Sequence, residues 1–369
     1  MKGILLTGAA VLIVGIGASA VLAQAPAPAP APAPAQQPPP PPRPYYVGNP
    51  VGQPIAPPRP DAENPPAFVP MDDHVRMYGA LYSVESCSYD PVMDLIVAPN
   101  RGVGQAVQTN NAWIALINHD GTVHTPRWIG IQNPGEQRDT QMTTPLILNE
   151  PLGSDIMNGI LYLADRDGGT PDPANPGQNL PQTAVIAMFD MATGEPVDRW
   201  AFDAPAFNDI EVAEDGTIYA TVSGAMGRIY KITPDGELSE FVPTPAEQGQ
   251  PPNGPNGIAI NPDGTIVTVG GGDTVFTWST TGELLLTENA SMAGNDGLVI
   301  MPDGTKFISS VQNGGVSMIR PGEASVLIAQ GIPSAASMCY DAGAHQLVIP
   351  MNANNGLAFL PLEGIYEAP

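Results

Sequence analysis

One frame recurs three times in this chain, and it constrains the fold more than any other feature. It runs from Asn208 to Gly216, from Asn256 to Gly264 and from Asp296 to Gly304. Each copy opens on a carboxylate or carboxamide and reaches an Asp-Gly pair seven residues later. Each then enters a β-rich run: TIYAT, TIVTV and TKFIS. The opening residues are 48 and then 40 residues apart. Those periods match four-stranded propeller blades.

The rest of the chain supplies weaker copies. Glu85 to Pro91 aligns with Asn256 to Pro262, so Glu85 takes the position of Asn256, and Leu95 to Ala98 forms the next strand. Another blade spans about 145–201, with strands at Ile160 to Ala164 and Val185 to Asp190. A last blade begins near Ile332 and includes Gln346 to Pro350 and Gly356 to Leu360. Helix signals are nearly absent from 70 onward, while short β-branched runs alternate with Gly, Pro, Asn and Asp. The reading is an all-β, six-bladed β-propeller over 67–369. The strand at 75–82 is expected to complete the last blade and close the ring, because an unpaired edge invites aggregation. Asp-Gly at 215–216, 263–264 and 303–304 suits hairpin turns, where glycine takes a positive φ.

Residues 1–23 read as a secretory signal, with Lys2 at the start, an apolar run from Ile4 to Leu22 and a cleavage site after Ala23. An uncleaved membrane anchor is the alternative. Residues 24–66 are a Pro/Ala-rich linker, extended at ~3.1 Å per residue. The formal net charge is −24 without a basic cluster, which argues against nucleic acid and anionic membrane surfaces. Membrane contact is expected only if the N-terminal segment stays uncleaved. An acidic periplasmic or secreted protein follows.

In a propeller the innermost strand of each blade lines the central channel. Glu85, Asn208, Asn256 and Asp296 share one position at the start of such strands, so four blades aim oxygen ligands at one mouth. Two carboxylates and two carboxamides suit a hard or borderline divalent cation. A lone Asn before Gly also serves as a turn residue. The case rests on four residues at one position, and Glu85 has no turn role.

These frames resemble the gluconolactonase/regucalcin (senescence-marker-protein-like) family of six-bladed propellers over roughly 80–365, most clearly from 206 to 310. The resemblance implies one divalent cation, calcium or zinc, held by Glu85, Asn256 and Asp296. It implies that Asn208 faces the metal or the substrate, and that Asp296 doubles as the general base. The implied activity is hydrolysis of a small-molecule lactone. One position departs from the pattern: sugar lactonases often carry an Arg two residues before the equivalent of Asn208, and here that residue is Ala206. The competing reading is a non-catalytic NHL-like propeller that binds a ligand or protein partner through the same polar channel. The segments 133–143 and 167–182, rich in Pro, Gly, Asn and Gln, are candidate roofs over the site.

The four histidines are scattered without metal spacing, and no Gly-x-Ser-x-Gly elbow is present. Cys87 and Cys339 fall on the inner strands of the first and last blades. Aligning Tyr89 and Asp90 with Tyr340 and Asp341 offsets the cysteines by one residue, which turns them to opposite strand faces. Two buried thiols are expected, with a ring-closing disulfide as the alternative.

Overall fold

A computed structural model describes residues 75–78, 81–101, 112–130, 148–167, 175, 177–178, 183–224, 227–242 and 254–367. The expected signal and linker segments and the candidate roof at 133–143 lie outside the described residues, as does most of 167–182. The described residues form six four-stranded antiparallel sheets. Blade 1 consists of Ser88–Asp90, Leu95–Asn100, Trp113–Ile117 and Val123–Ile129. Blade 2 consists of Ser154–Met157, Ile160–Asp167, Thr183–Asp190 and Pro196–Phe202. Blade 3 is built from Ile210–Val212, Ile218–Val222, Arg228–Ile232 and Leu238–Val242. Blade 4 takes Pro255–Ile260, Ile266–Gly270, Thr274–Trp278 and Leu284–Asn289, and blade 5 takes Asn295–Ile300, Lys306–Ser310, Gly315–Ile319 and Val326–Gln330. Blade 6 joins Cys339–Asp341, Gln346–Met351 and Gly356–Pro361 to Arg76–Tyr78 from the start of the domain. That N-terminal strand pairs antiparallel with Gly356–Pro361, so the expected ring closure is present.

The innermost strands of successive blades touch one another around the whole ring, the sixth meeting the first. The clefts between blades hold the core. Leu95 and Val97 of blade 1 pack with Leu161 and Leu163 of blade 2, whereas Ile96 and Ala98 pack with Val348 and Phe359 of blade 6. Alternate residues of one strand therefore fill two different clefts. This is why the middle strands read as unbroken apolar runs: Leu95–Asn100 and Ile266–Gly270 are buried throughout. The outer strands face water on one side, and their patterns are mostly exposed.

The three Asp-Gly turns behave alike. Gly216, Gly264 and Gly304 have φ of 84°, 83° and 83°. Asp215, Asp263 and Asp303 each accept the N–H of the Thr two residues on, at 2.9, 3.0 and 2.9 Å. These residues belong to the fold.

The cysteine expectation needs correction. Cys87 and Cys339 form a disulfide, with Cα atoms 5.5 Å apart. The one-residue offset does place them on opposite faces of equivalent strands. Neighbouring blades, however, meet back to front, so opposite faces are the ones that share a cleft. Cys87 and Cys339 both lie in the apolar cluster between blades 6 and 1.

Candidate functional site

Glu85 precedes the inner strand of blade 1, Asp209 precedes that of blade 3, and Asn256 and Asp296 lie near the start of those of blades 4 and 5. The strand register slips between Pro255 and Ile258, and again between Asn295 and Leu298. Such bulges re-aim side chains and are common beside functional sites. The following glycines, Gly257 and Gly297, keep ordinary negative-φ or extended backbone and are not turn residues. Their role is close approach. A Cβ on Gly257 would lie 2.1 Å from the carbonyl oxygen of Asp296, and one on Gly297 would lie 2.6 Å from the N of Met338. Adjacent inner strands can converge on the axis because these positions lack a side chain.

Glu85 and Asp296 are buried, at 5% and 3% exposure. Asn256 hydrogen-bonds the Asp296 carboxylate. Glu85 Oε2, Asn256 Oδ1 and Asp296 Oδ1 have no hydrogen-bond partner. Buried polar atoms are normally satisfied, so three orphan oxygens on three neighbouring side chains call for an explanation. Glu85 Oε2 has one charged neighbour, Arg101 Nη1 at 3.6 Å, which is beyond hydrogen-bond length.

The electrostatics agree with a crowded acidic site. Burial pushes the Asp296 carboxyl well above its ordinary pKa, and the charges of Glu85 and Asp209 push it further, against the hydrogen bond from Asn256. Burial also raises Glu85; Arg101 opposes this and Glu150 adds to it. Asp209 is pushed up to about 7, chiefly by burial. The N–H groups of Ile210 and Ile258 and the Ser337 hydroxyl partly offset that shift. Several mutually repelling carboxylates in one dry site stay ionised only with a cation or give way to protonation.

Of the four residues singled out in sequence, Glu85 and Asp296 interact through their charges, and Asn256 hydrogen-bonds Asp296. The recorded contacts of Asn208 are made by its backbone: its N–H donates to Thr221 O and its carbonyl accepts from Gly153, both at 2.7 Å. The carboxylate that reaches the cluster from this blade belongs to Asp209, which sequence reasoning did not single out. A signal was available. Asp209 and Glu211 alternate with the buried Ile210 and Val212, the period-2 pattern of a strand with one polar face. Glu211 continues the acidic lining, its pKa raised well above the ordinary value by burial and then by the charges of Asp155 and Asp209. Among the described residues no group of three or more His, Cys, Asp or Glu side chains is arranged to hold a metal ion. The candidate donor set is two carboxylates and a carboxamide, all oxygen, and it fits a hard cation.

A cationic group stands beside Glu85. Arg101 pairs with Glu150, and Arg166 pairs with the other oxygen of the same carboxylate. Glu150 is held from behind, its N–H donating to Asp165 Oδ1 at 2.6 Å. Ala206 lies at the position where the family pattern often has Arg.

No family model and no curated protein matches the sequence. Solved structures do match. A gluconolactonase from Xanthomonas campestris is 18% identical, with a TM-score of 0.50, and the match covers 84% of this chain and 99% of that one. A protein assigned as a gluconolactonase by family is 14% identical, with a TM-score of 0.51 over 78% of this chain and 91% of that one. Virginiamycin B lyase from Staphylococcus aureus is 15% identical, with a TM-score of 0.50, covering 78% and 99%. The six-bladed propeller of this chain is thus similar in fold to gluconolactonase-like proteins and to the lyase.

Proposed function

We propose that this protein is an exported, metal-dependent hydrolase of the lactonase type, acting at one mouth of the propeller channel. The observation that carries the reading is the set of three orphan oxygens, Glu85 Oε2, Asn256 Oδ1 and Asp296 Oδ1, on the three residues that the family pattern assigns to a cation. Those residues would hold a divalent cation, and an all-oxygen donor set favours calcium over zinc. When bound, such an ion polarises a carbonyl and lowers the pKa of water.

The remaining work falls to side chains. Asp296 takes a proton from the water whose oxygen bonds to the lactone carbonyl carbon. The ring C–O bond breaks, and Asp296 returns the proton to the departing ring oxygen, leaving a hydroxy acid. Asn256 holds Asp296 in place through its hydrogen bond. Asp209 and Glu211 keep the channel side of the site acidic. The gluconolactonases among the fold neighbours motivate the substrate class. Export is supported by the N-terminal sequence pattern and by the Cys87–Cys339 disulfide, which suits an oxidising compartment.

The test is direct. The purified protein is assayed for bound metal and against a panel of lactones, with chelator and after reloading with calcium or zinc. Stoichiometric metal and chelator-sensitive hydrolysis are expected. Absence of metal, together with an Asp296→Ala variant indistinguishable from wild type, would leave a non-catalytic binding propeller.

A further inference from the structure

The channel is acidic, yet the Arg101 guanidinium stands beside Glu85, and Arg166 joins it at Glu150. The side chains of Arg101 and Arg166 are 15% and 18% exposed, whereas those of Glu85 and Glu150 are 7% and 8% exposed. Glu150 is fully engaged. One oxygen accepts from Arg101 Nη2, and the other accepts from Arg166 Nε at 2.5 Å and from Arg166 Nη2. Two guanidiniums and the carboxylates of Glu150 and Glu85 balance in charge, but they do not use every donor. Arg101 Nη1 stands 3.6 Å from Glu85, so Glu85 attracts it without consuming its protons. A guanidinium carries five donors in a fork suited to a carboxylate, and Glu150 fixes that fork in one orientation.

We infer that Arg101, oriented by Glu150 and flanked by Arg166, forms an anion subsite next to the candidate metal residues, so that the preferred substrates carry a carboxylate apart from the reacting carbonyl. This rests on the lactonase reading for the reaction but not for the binding. On a chain with a net charge of −24 an anionic substrate is repelled at long range. A guanidinium held in place by Glu150, with its Nη1 donors left over, is what such a substrate needs on arrival. A neutral lactone gains nothing from it.

The probes are γ-butyrolactone-γ-carboxylate, its neutral carboxamide, and the open-chain hydroxy acid formed from the former. Wild-type protein is expected to bind the carboxylate probes about tenfold more tightly than the carboxamide, the scale of one charge-assisted pair. That preference falls with rising salt. Arg101→Met abolishes it, mainly through KM where turnover is measurable, and Arg101→Lys restores part of it. Calorimetric binding of the open-chain acid needs no turnover. If no lactone is hydrolysed but the acid binds wild type and not Arg101→Met, the subsite stands and the lactonase reading falls. If wild type binds carboxylate and carboxamide alike, the subsite is overturned without recourse to any variant. Unchanged preference in a folded Arg101→Met protein overturns it too.

Discussion

The backbone N–H of Ser337 in blade 6 donates to the carbonyl oxygen of Glu85 in blade 1, at 3.1 Å. The Ser337 hydroxyl donates to Asp209 Oδ2 at 3.2 Å. Two residues further along each chain, Cys87 and Cys339 are covalently joined. The seam where the ring closes is therefore also a wall of the site, and whatever loosens the seam moves Glu85.

The disulfide spans 252 residues of sequence. A cross-link over so long a loop restricts the unfolded chain strongly, and about 2–4 kcal/mol is a typical contribution. Thermal unfolding of the reduced protein, or of Cys339→Ser, is expected well below that of the oxidised protein. Coincident unfolding curves would show that Arg76–Tyr78 closes the ring unaided.

Asp296→Asn is expected to stabilise the cation-free protein by about 1 kcal/mol, within the range of single stabilising substitutions. It removes a buried charge that Glu85 and Asp209 repel. The same change should erase the rise in melting temperature on adding calcium. A variant that is both less stable without calcium and still stabilised by it contradicts this account.

Gly257→Ala places a methyl group 2.1 Å from the Asp296 carbonyl oxygen, which is backbone and cannot swing aside. Overpacking of this kind costs about 1–3 kcal/mol. Denaturant unfolding should register that loss, and calcium affinity should fall because blades 4 and 5 separate at the site. Gly264→Ala is a control: its φ of 83° predicts strain, but it lies in a turn remote from Asp296 and should leave calcium affinity alone.

His119 ties the same seam elsewhere. Its Nδ1 lies 2.9 Å from Asp341 of blade 6, and its Nε2 lies 3.1 Å from Asp94. Burial by itself depresses its pKa, but the hydrogen bonds and charges of Asp341 and Asp94 outweigh that and raise it above 6.5. A folded pKa above the unfolded one gives stability that is complete below about 6.5 and fades as pH rises through the folded value. The gap in melting temperature between wild type and His119→Gln should be widest near pH 6 and narrow toward pH 9. A gap independent of pH would mean that the imidazole charge plays no part.

Much of this molecule was legible in its sequence, because its regularities are local. The Asp-Gly turns repeat at blade spacing, and their chemistry is contained within five residues. The doubly buried middle strands read as apolar runs, and the unmatched 75–82 segment completed the count for ring closure. Glu85, Asn256 and Asp296 could be picked out as candidates for the same reason, since one frame placed them at equivalent positions. The tertiary structure decided what depends on neighbouring blades. It set Asp209, which the alignment of the repeats passes over, against the acidic cluster. It assigned Gly257 and Gly297 to close approach between blades. It brought Arg101, Glu150 and Arg166 together from two blades without any shared motif. And it joined Cys87 to Cys339, because a one-residue offset that separates two side chains on a single strand brings them face to face when the strands belong to adjacent, stacked sheets.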